Sequence, residues 1–215
     1  MYMRSPSAHR PPLQREYHDL DLVVLRSAVA EVSNACSSVG FQADKRFNAL
    51  HGASRLLFRQ GELELDVFVQ VFAQCHKLDF AGRLVDRADT VSLADLLLTK
   101  LQVVKITRKD ITDSAALLLD HPLTSNADES GIVIPQFLDV VCQDWGWYTT
   151  VTDNLAIIQT AVRDILEAEE RQAVADRCEQ LLSVMQQAPK TLSWKLRARI
   201  GRRLPWYDLP EEKER

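Results

Sequence analysis

Three aspartates form the most chemically suggestive pattern in this sequence. In EYHDLDLVVL, residues 16–25, Asp19 and Asp21 flank Leu20 and run directly into an apolar stretch. Side chains on a strand alternate faces, so both carboxylates would project from one face. Asp66 lies in a second strand-like run, LELDVFV, whose odd positions Leu63, Leu65, Val67 and Val69 form the opposite, apolar face. Pairing these two strands would let three carboxylates converge. Magnesium is a hard cation held by a few carboxylates together with phosphate oxygens. Two such ions about 3.5–4 Å apart can stabilise both the attacking and the leaving oxygen of phosphoryl or nucleotidyl transfer. The same aspartates would equally serve as solvated groups at a strand end, and spacing leaves both roles open.

The elements that must position these groups predict an α+β fold: a small mixed sheet with flanking helices, then a helical C-terminal region. Residues 1–15 are polar and proline-bearing and read as an extended arm. A first strand is predicted over 19–25 and a helix over 27–39, stopped by Gly40. The runs 55–59 and 63–69 suggest a hairpin across Gln60-Gly61-Glu62. After Val69 the pattern turns helical. Ser92 and Thr107, each followed three residues on by an aspartate, start helices reaching about 104 and 119, and His121-Pro122 stops the second. The polar stretch 124–131 is a loop, a short helix is predicted over 135–143, and 149–187 is helix-rich. Residues 16–122 are expected to form the sheet-bearing domain, and 132–210 the helical region.

Composition limits the alternatives. With 26 basic and 30 acidic residues the net charge is −4, which argues against a protein whose whole surface binds nucleic acid. The four cysteines, Cys36, Cys75, Cys142 and Cys178, are scattered without zinc-ligand spacing and read as reduced thiols of a cytoplasmic protein. No run approaches the length of a membrane span, so no membrane partner is expected. There is no G-x-S-x-G elbow and no P-loop.

The combination of Asp19-Leu20-Asp21, Leu65-Asp66-Val67, LLLTKLQ (96–102) and RKDITD (108–113) resembles the nucleotidyltransferase superfamily, with its DNA polymerase β-like fold. Within it, FNALHG, LDVFV, ADLLLTKLQVV, KDITD, DWGWYTTVT and WKLRARIG…WYDLPEE look like a subgroup related to abortive-infection-type nucleotidyltransferase toxins. The resemblance covers nearly the whole chain. It implies that Asp19, Asp21 and Asp66 bind magnesium, that a nucleoside triphosphate is the substrate, and that Lys100 and Asp113 contact the nucleotide, with Lys109 and Asp110 beside them. The family pattern also begins with a Gly-Gly or Gly-Ser turn ahead of the D-x-D, whose bare backbone N–H groups hold phosphates. The stretch before Asp19 contains no glycine and reads as lacking that element. Two functions follow. One is magnesium-dependent transfer of a nucleoside monophosphate to a hydroxyl on RNA or protein. The other is a catalytically silent binding or scaffold protein on the same fold.

Other features have structural alternatives. Lys100 can snorkel from an apolar helix flank, and Asp113 can pair with Lys109 one turn earlier. Trp145, Trp147 and Tyr148 could stack on a base, although clustered tryptophans at a helix junction read as core. Six cations, Lys190, Lys195, Arg197, Arg199, Arg202 and Arg203, precede Tyr207 with no intervening acid and interleave with Trp194 and Trp206. Such a segment, 190–203, could grip an RNA backbone or form a solvated terminal helix.

Overall fold

A computed structural model describes residues 4–17, 19–84, 90–126 and 131–209. The chain divides into two compact units, one formed by residues 16–73 and 77–91 and the other by 1–15, 74–76 and 92–215.

The first unit is built on a four-stranded mixed sheet. Its elements are β1 (Asp19–Val24), α1 (Val29–Ser38), β2 (Gln42–Ala43), α2 (Lys45–His51), β3 (Arg55–Gln60) and β4 (Leu63–Val69), followed by a small hairpin, β5 (Val71–Ala73) and β6 (Lys77–Asp79). The strand order is β1-β4-β3-β2, with β1 parallel to β4 and the other pairs antiparallel. The β3–β4 turn is the two-residue loop Gly61-Glu62. Gly61 takes φ of +60°, as the first position of a hairpin turn requires. Helix α1 ends where predicted: the Gly40 N–H donates to Ser37 O, the Phe41 N–H donates to Cys36 O, and Gly40 adopts φ of +94°. One sheet face and α1 enclose a core of Val24, Cys36, Leu56, Phe58, Leu65 and Val67.

Between Val69 and Ser92 the structure departs from the helical expectation. The β5–β6 hairpin occupies this stretch, because Phe72 and Leu78 alternate into the core at 8% and 1% exposure. Helix α2 was not anticipated either. Its start is fixed by Asp44, whose carboxylate accepts the Phe47 N–H at 3.0 Å.

The second unit is helical: α3 (Leu93–Leu101), α4 (Arg108–Asp120), α5 (Ile134–Val141), α6 (Trp145–Ala161), α7 (Ala168–Gln187) and α8 (Leu192–Ile200), with β7 (Leu123–Thr124) and β8 (Ile132–Val133) paired between α4 and α5. Both predicted caps form: Ser92 Oγ accepts the Asp95 N–H, and Thr107 with Asp110 closes a complete capping box. Leu97, Leu98 and Leu101 of α3 and residues 115–118 of α4 are fully buried, facing α5, α6 and α7. The expected sheet-bearing domain over 16–122 is thus divided, with α3 and α4 grouping with the C-terminal helices.

The N-terminal segment is not extended throughout. Pro6–His9 is a 3-10 turn packed on α4, with Ser5, Ser7, Ala8 and Leu13 buried. The cause is a polar clasp. Ser7 donates its N–H and its hydroxyl to Asp120 at 2.9 and 2.5 Å, and His121 Nε2 lies 2.8 Å from Arg4 O.

Candidate functional site

The parallel register of β1 and β4 sets Asp21 directly beside Asp66, and Asp19 beside Glu64. Neighbouring strands lie about 4.8 Å apart, and paired residues of parallel strands share a face. Four carboxylates therefore occupy one sheet face as two adjacent pairs. Leu20, Leu22, Leu65 and Val67 point the other way, so the apolar alternation that buries β4 also orients its acids.

The structure supplies two residues that spacing did not reveal. On β3, Arg55 and Arg59 share the face of Asp66 and Glu64. Arg55 Nε donates to Asp66 Oδ1 at 2.8 Å, and Arg59 Nε lies 3.4 Å from Glu64 Oε2 while its Nη1 reaches Asp44 at 2.9 Å. The Arg55 guanidinium is also held over the Phe68 ring at 5.0 Å and the Phe47 ring at 5.6 Å. Asp66 is buried at 3% exposure, whereas Asp19 and Asp21 are exposed. β3 flanks β4 on the side away from β1, so Asp66 stands between Arg55 on one neighbouring strand and Asp21 on the other. Among the described residues no three His, Cys, Asp or Glu side chains converge as a ready metal-ligand set. The all-oxygen donor set suits magnesium, and the β3 arginines are its competitors. Glu64 and the arginines were legible in principle as the even positions of LELDVFV and the i, i+4 pair in RLLFR.

Lys100 and Asp113 lie in the helical unit, on α3 and α4, and the structure brings them together. Lys100 Nζ is 3.0 Å from Asp113 Oδ2, and Arg15 donates through Nε and Nη2 to the two Asp113 oxygens at 2.8 and 2.6 Å. Asp113 is 1% exposed, while the side chains of Arg15 and Lys100 are about one-fifth exposed. Burial pushes the Asp113 carboxyl toward the neutral acid, but the Arg15 hydrogen bond and the Lys100 charge overcome it and hold the group below the ordinary aspartate value. Arg15, ninety-eight residues from Asp113, was not identified from the sequence. Lys109 and Asp110 sit in the first turn of α4, where Asp110 completes the Thr107 cap.

No protein-family model, curated protein or solved structure matches this chain. Its own chemistry therefore carries the functional reading.

Several of the remaining groups are engaged within the fold. All four cysteines are buried free thiols, and burial pushes Cys178 up to about 12, far from a reactive thiolate. Trp147 is buried and stacks on His76 with centroids 5.1 Å apart. Half of the basic tail is committed internally. Lys190 Nζ donates to Met185 O at 2.6 Å and sits over Tyr148 and Trp194. Arg197 donates to Gly201 O, Leu204 O and Pro205 O, and Arg202 Nη2 lies 2.7 Å from both carboxylate oxygens of Asp153. No helix among the described residues is long and apolar enough to cross a membrane.

Proposed function

We propose that this is a nucleotidyltransferase-like protein whose β1–β4 carboxylate face holds magnesium and a nucleoside triphosphate, transferring the nucleoside monophosphate to a hydroxyl acceptor. The observation that supports this reading is the in-register pairing of Asp21 with Asp66 on adjacent parallel strands, with Asp19 on the same face two residues along. Bound magnesium would supply charge neutralisation for the triphosphate. Asp19 and Asp21, exposed at the sheet edge, would hold the ion. Asp66 would complete the set and accept the acceptor proton after exchanging its arginine partner. The work of such a face is positioning and electrostatics.

A second reading is favoured by one specific contact. The buried Asp66–Arg55 pair, backed by two aromatic rings, satisfies the third carboxylate without metal. A protein in which that pair is permanent would be a catalytically silent binding or scaffold protein on this sheet.

Calorimetric titration of each nucleoside triphosphate with and without magnesium, on the intact chain and on Asp21→Asn, tests the binding claim. Magnesium-dependent binding lost in the variant is expected; binding indifferent to both magnesium and the variant overturns it. Release of pyrophosphate in the presence of an RNA or protein acceptor then separates the transferase from the silent protein.

A further inference from the structure

We propose that the outer face of α8 is a docking surface for an acidic amphipathic helix of a partner protein. Along α8 and just beyond it, Leu192, Leu196, Ile200 and Leu204 recur every four residues, and they are 73, 51, 42 and 55% exposed. Residues four apart stack on one helix face, so Leu192, Leu196 and Ile200 form an apolar ridge, and Leu204 follows as an exposed side chain beyond the Gly201 turn. Lys195, Arg199 and Arg203 recur at the same interval one position earlier. All three are exposed; Lys195 and Arg199 form a cationic edge alongside the apolar ridge on α8, and Arg203 adds its charge from the turn that follows. The arrangement is one half of a helix-on-helix contact whose other half carries leucines flanked by carboxylates.

The platform is preorganised. Thr191 caps α8 by accepting the Trp194 N–H at 3.1 Å, and Trp194 meets Tyr148 edge-on at 5.2 Å. Arg197 lies 4.7 Å from the centre of the Trp145 ring and ties down the following turn through Gly201, Leu204 and Pro205 carbonyls. One side of α8 is thus fixed to the helical unit while the other presents its two ridges, and a fixed surface gives up little conformational entropy on binding.

Charge and side-chain type select the partner. RNA is gripped by cations together with stacking aromatic rings. Here Trp194 and Trp206 are engaged internally, and aliphatic chains, which have nothing to offer a phosphate, face outward. An anionic bilayer would attract the stripe, but it would also repel a chain of net charge −4 and would be met by a helix of only nine residues. A second copy docked about a two-fold axis would lay cations along cations. A single acidic helix satisfies both ridges without these conflicts.

The test uses fluorescently labelled peptides of about 18 residues, five helical turns, with leucines on one face and glutamates flanking them. Comparators are a scrambled peptide of the same composition and a version with lysines in place of the glutamates. The intact chain should bind the glutamate peptide in preference to both. Lys195→Glu/Arg199→Glu should weaken that binding about tenfold or more and turn the preference toward the lysine peptide. Leu196→Ser should weaken binding to both. These positions are exposed, and unchanged melting of the variants confirms that the fold is intact. Equal binding of the scrambled peptide, or binding indifferent to these variants, overturns the proposal. So does a wild-type chain that ignores the peptides yet binds an oligouridylate or phosphatidylserine vesicles through these residues, or that dimerises through them in sedimentation.

Discussion

Replacing Asp113 by asparagine tests the electrostatic arrangement of the helical unit. In the wild type its two oxygens receive Arg15 and Lys100 at 2.6–3.0 Å, and the carboxylate is 1% exposed. Asparagine preserves the shape but removes the negative charge that Asp113 offers these two cations. Removing one partner of a buried pair typically costs about 3–5 kcal/mol. Because Arg15 and Lys100 retain about one-fifth of their side-chain exposure, water recovers part of this, and a loss of about 3 kcal/mol is expected. With a urea slope of about 2 kcal/mol/M, the unfolding midpoint followed by tryptophan fluorescence falls by roughly 1–2 M. Adding Lys100→Met to Asp113→Asn removes one unpaired charge and should restore part of the loss. The sign with pH follows. A carboxyl held below its ordinary value contributes stability above the unfolded aspartate value, and this contribution is lost as pH falls through the lowered one. The variant should therefore lose part of the acid sensitivity. A cost below about 1 kcal/mol, or a double variant less stable than Asp113→Asn, would refute the reasoning.

Two further outcomes follow from the helical unit. Burial pulls the His76 imidazole down to about 4 despite the opposing charges of Asp144 and Asp208; the unfolded chain thus binds a proton that the folded chain refuses between about pH 6.5 and 4. Stability should fall by about 2 kcal/mol between pH 7 and 5 through this group alone, and urea melts of His76→Gln should show a correspondingly shallower slope; equal slopes would contradict it. At Gly146 an added Cβ would press on the Trp206 carbonyl oxygen and lie 2.9 Å from Asp144 Oδ1. Gly146→Ala should cost about 2 kcal/mol and open residues 204–209 to limited proteolysis; an unchanged cleavage pattern would count against that packing.

What could be read from the sequence was local. The alternation in LELDVFV fixes which face of β4 is buried, and hence which way Asp66 points. Ser92 and Thr107 announce α3 and α4 because a cap and its partner lie three residues apart. Gly40 and Gly61 mark reversals only glycine enters easily. The β5–β6 hairpin escaped because its strands are three residues each, too short for a period to show. The decisive contacts of the candidate site escaped for another reason. Arg55 meets Asp66 diagonally across the β3–β4 hairpin, a contact that needs the register and not only the strands, and Arg15 meets Asp113 across ninety-eight residues, which no spacing rule encodes. In the tail, counting six cations was correct, but it could not show that Lys190 and Arg197 bind backbone carbonyls and Arg202 a surface aspartate while Lys195, Arg199 and Arg203 are exposed.

The central claim is that Asp19, Asp21 and Asp66 hold a divalent ion on one sheet face. Manganese can stand in for magnesium at an oxygen site, and its paramagnetism broadens nearby amide resonances. Adding substoichiometric manganese with a nucleoside triphosphate to labelled protein should selectively erase the amides of 19–22 and 64–67, and Asp21→Asn should restore them. Signals that stay sharp at those residues, or broadening centred elsewhere, would contradict the account.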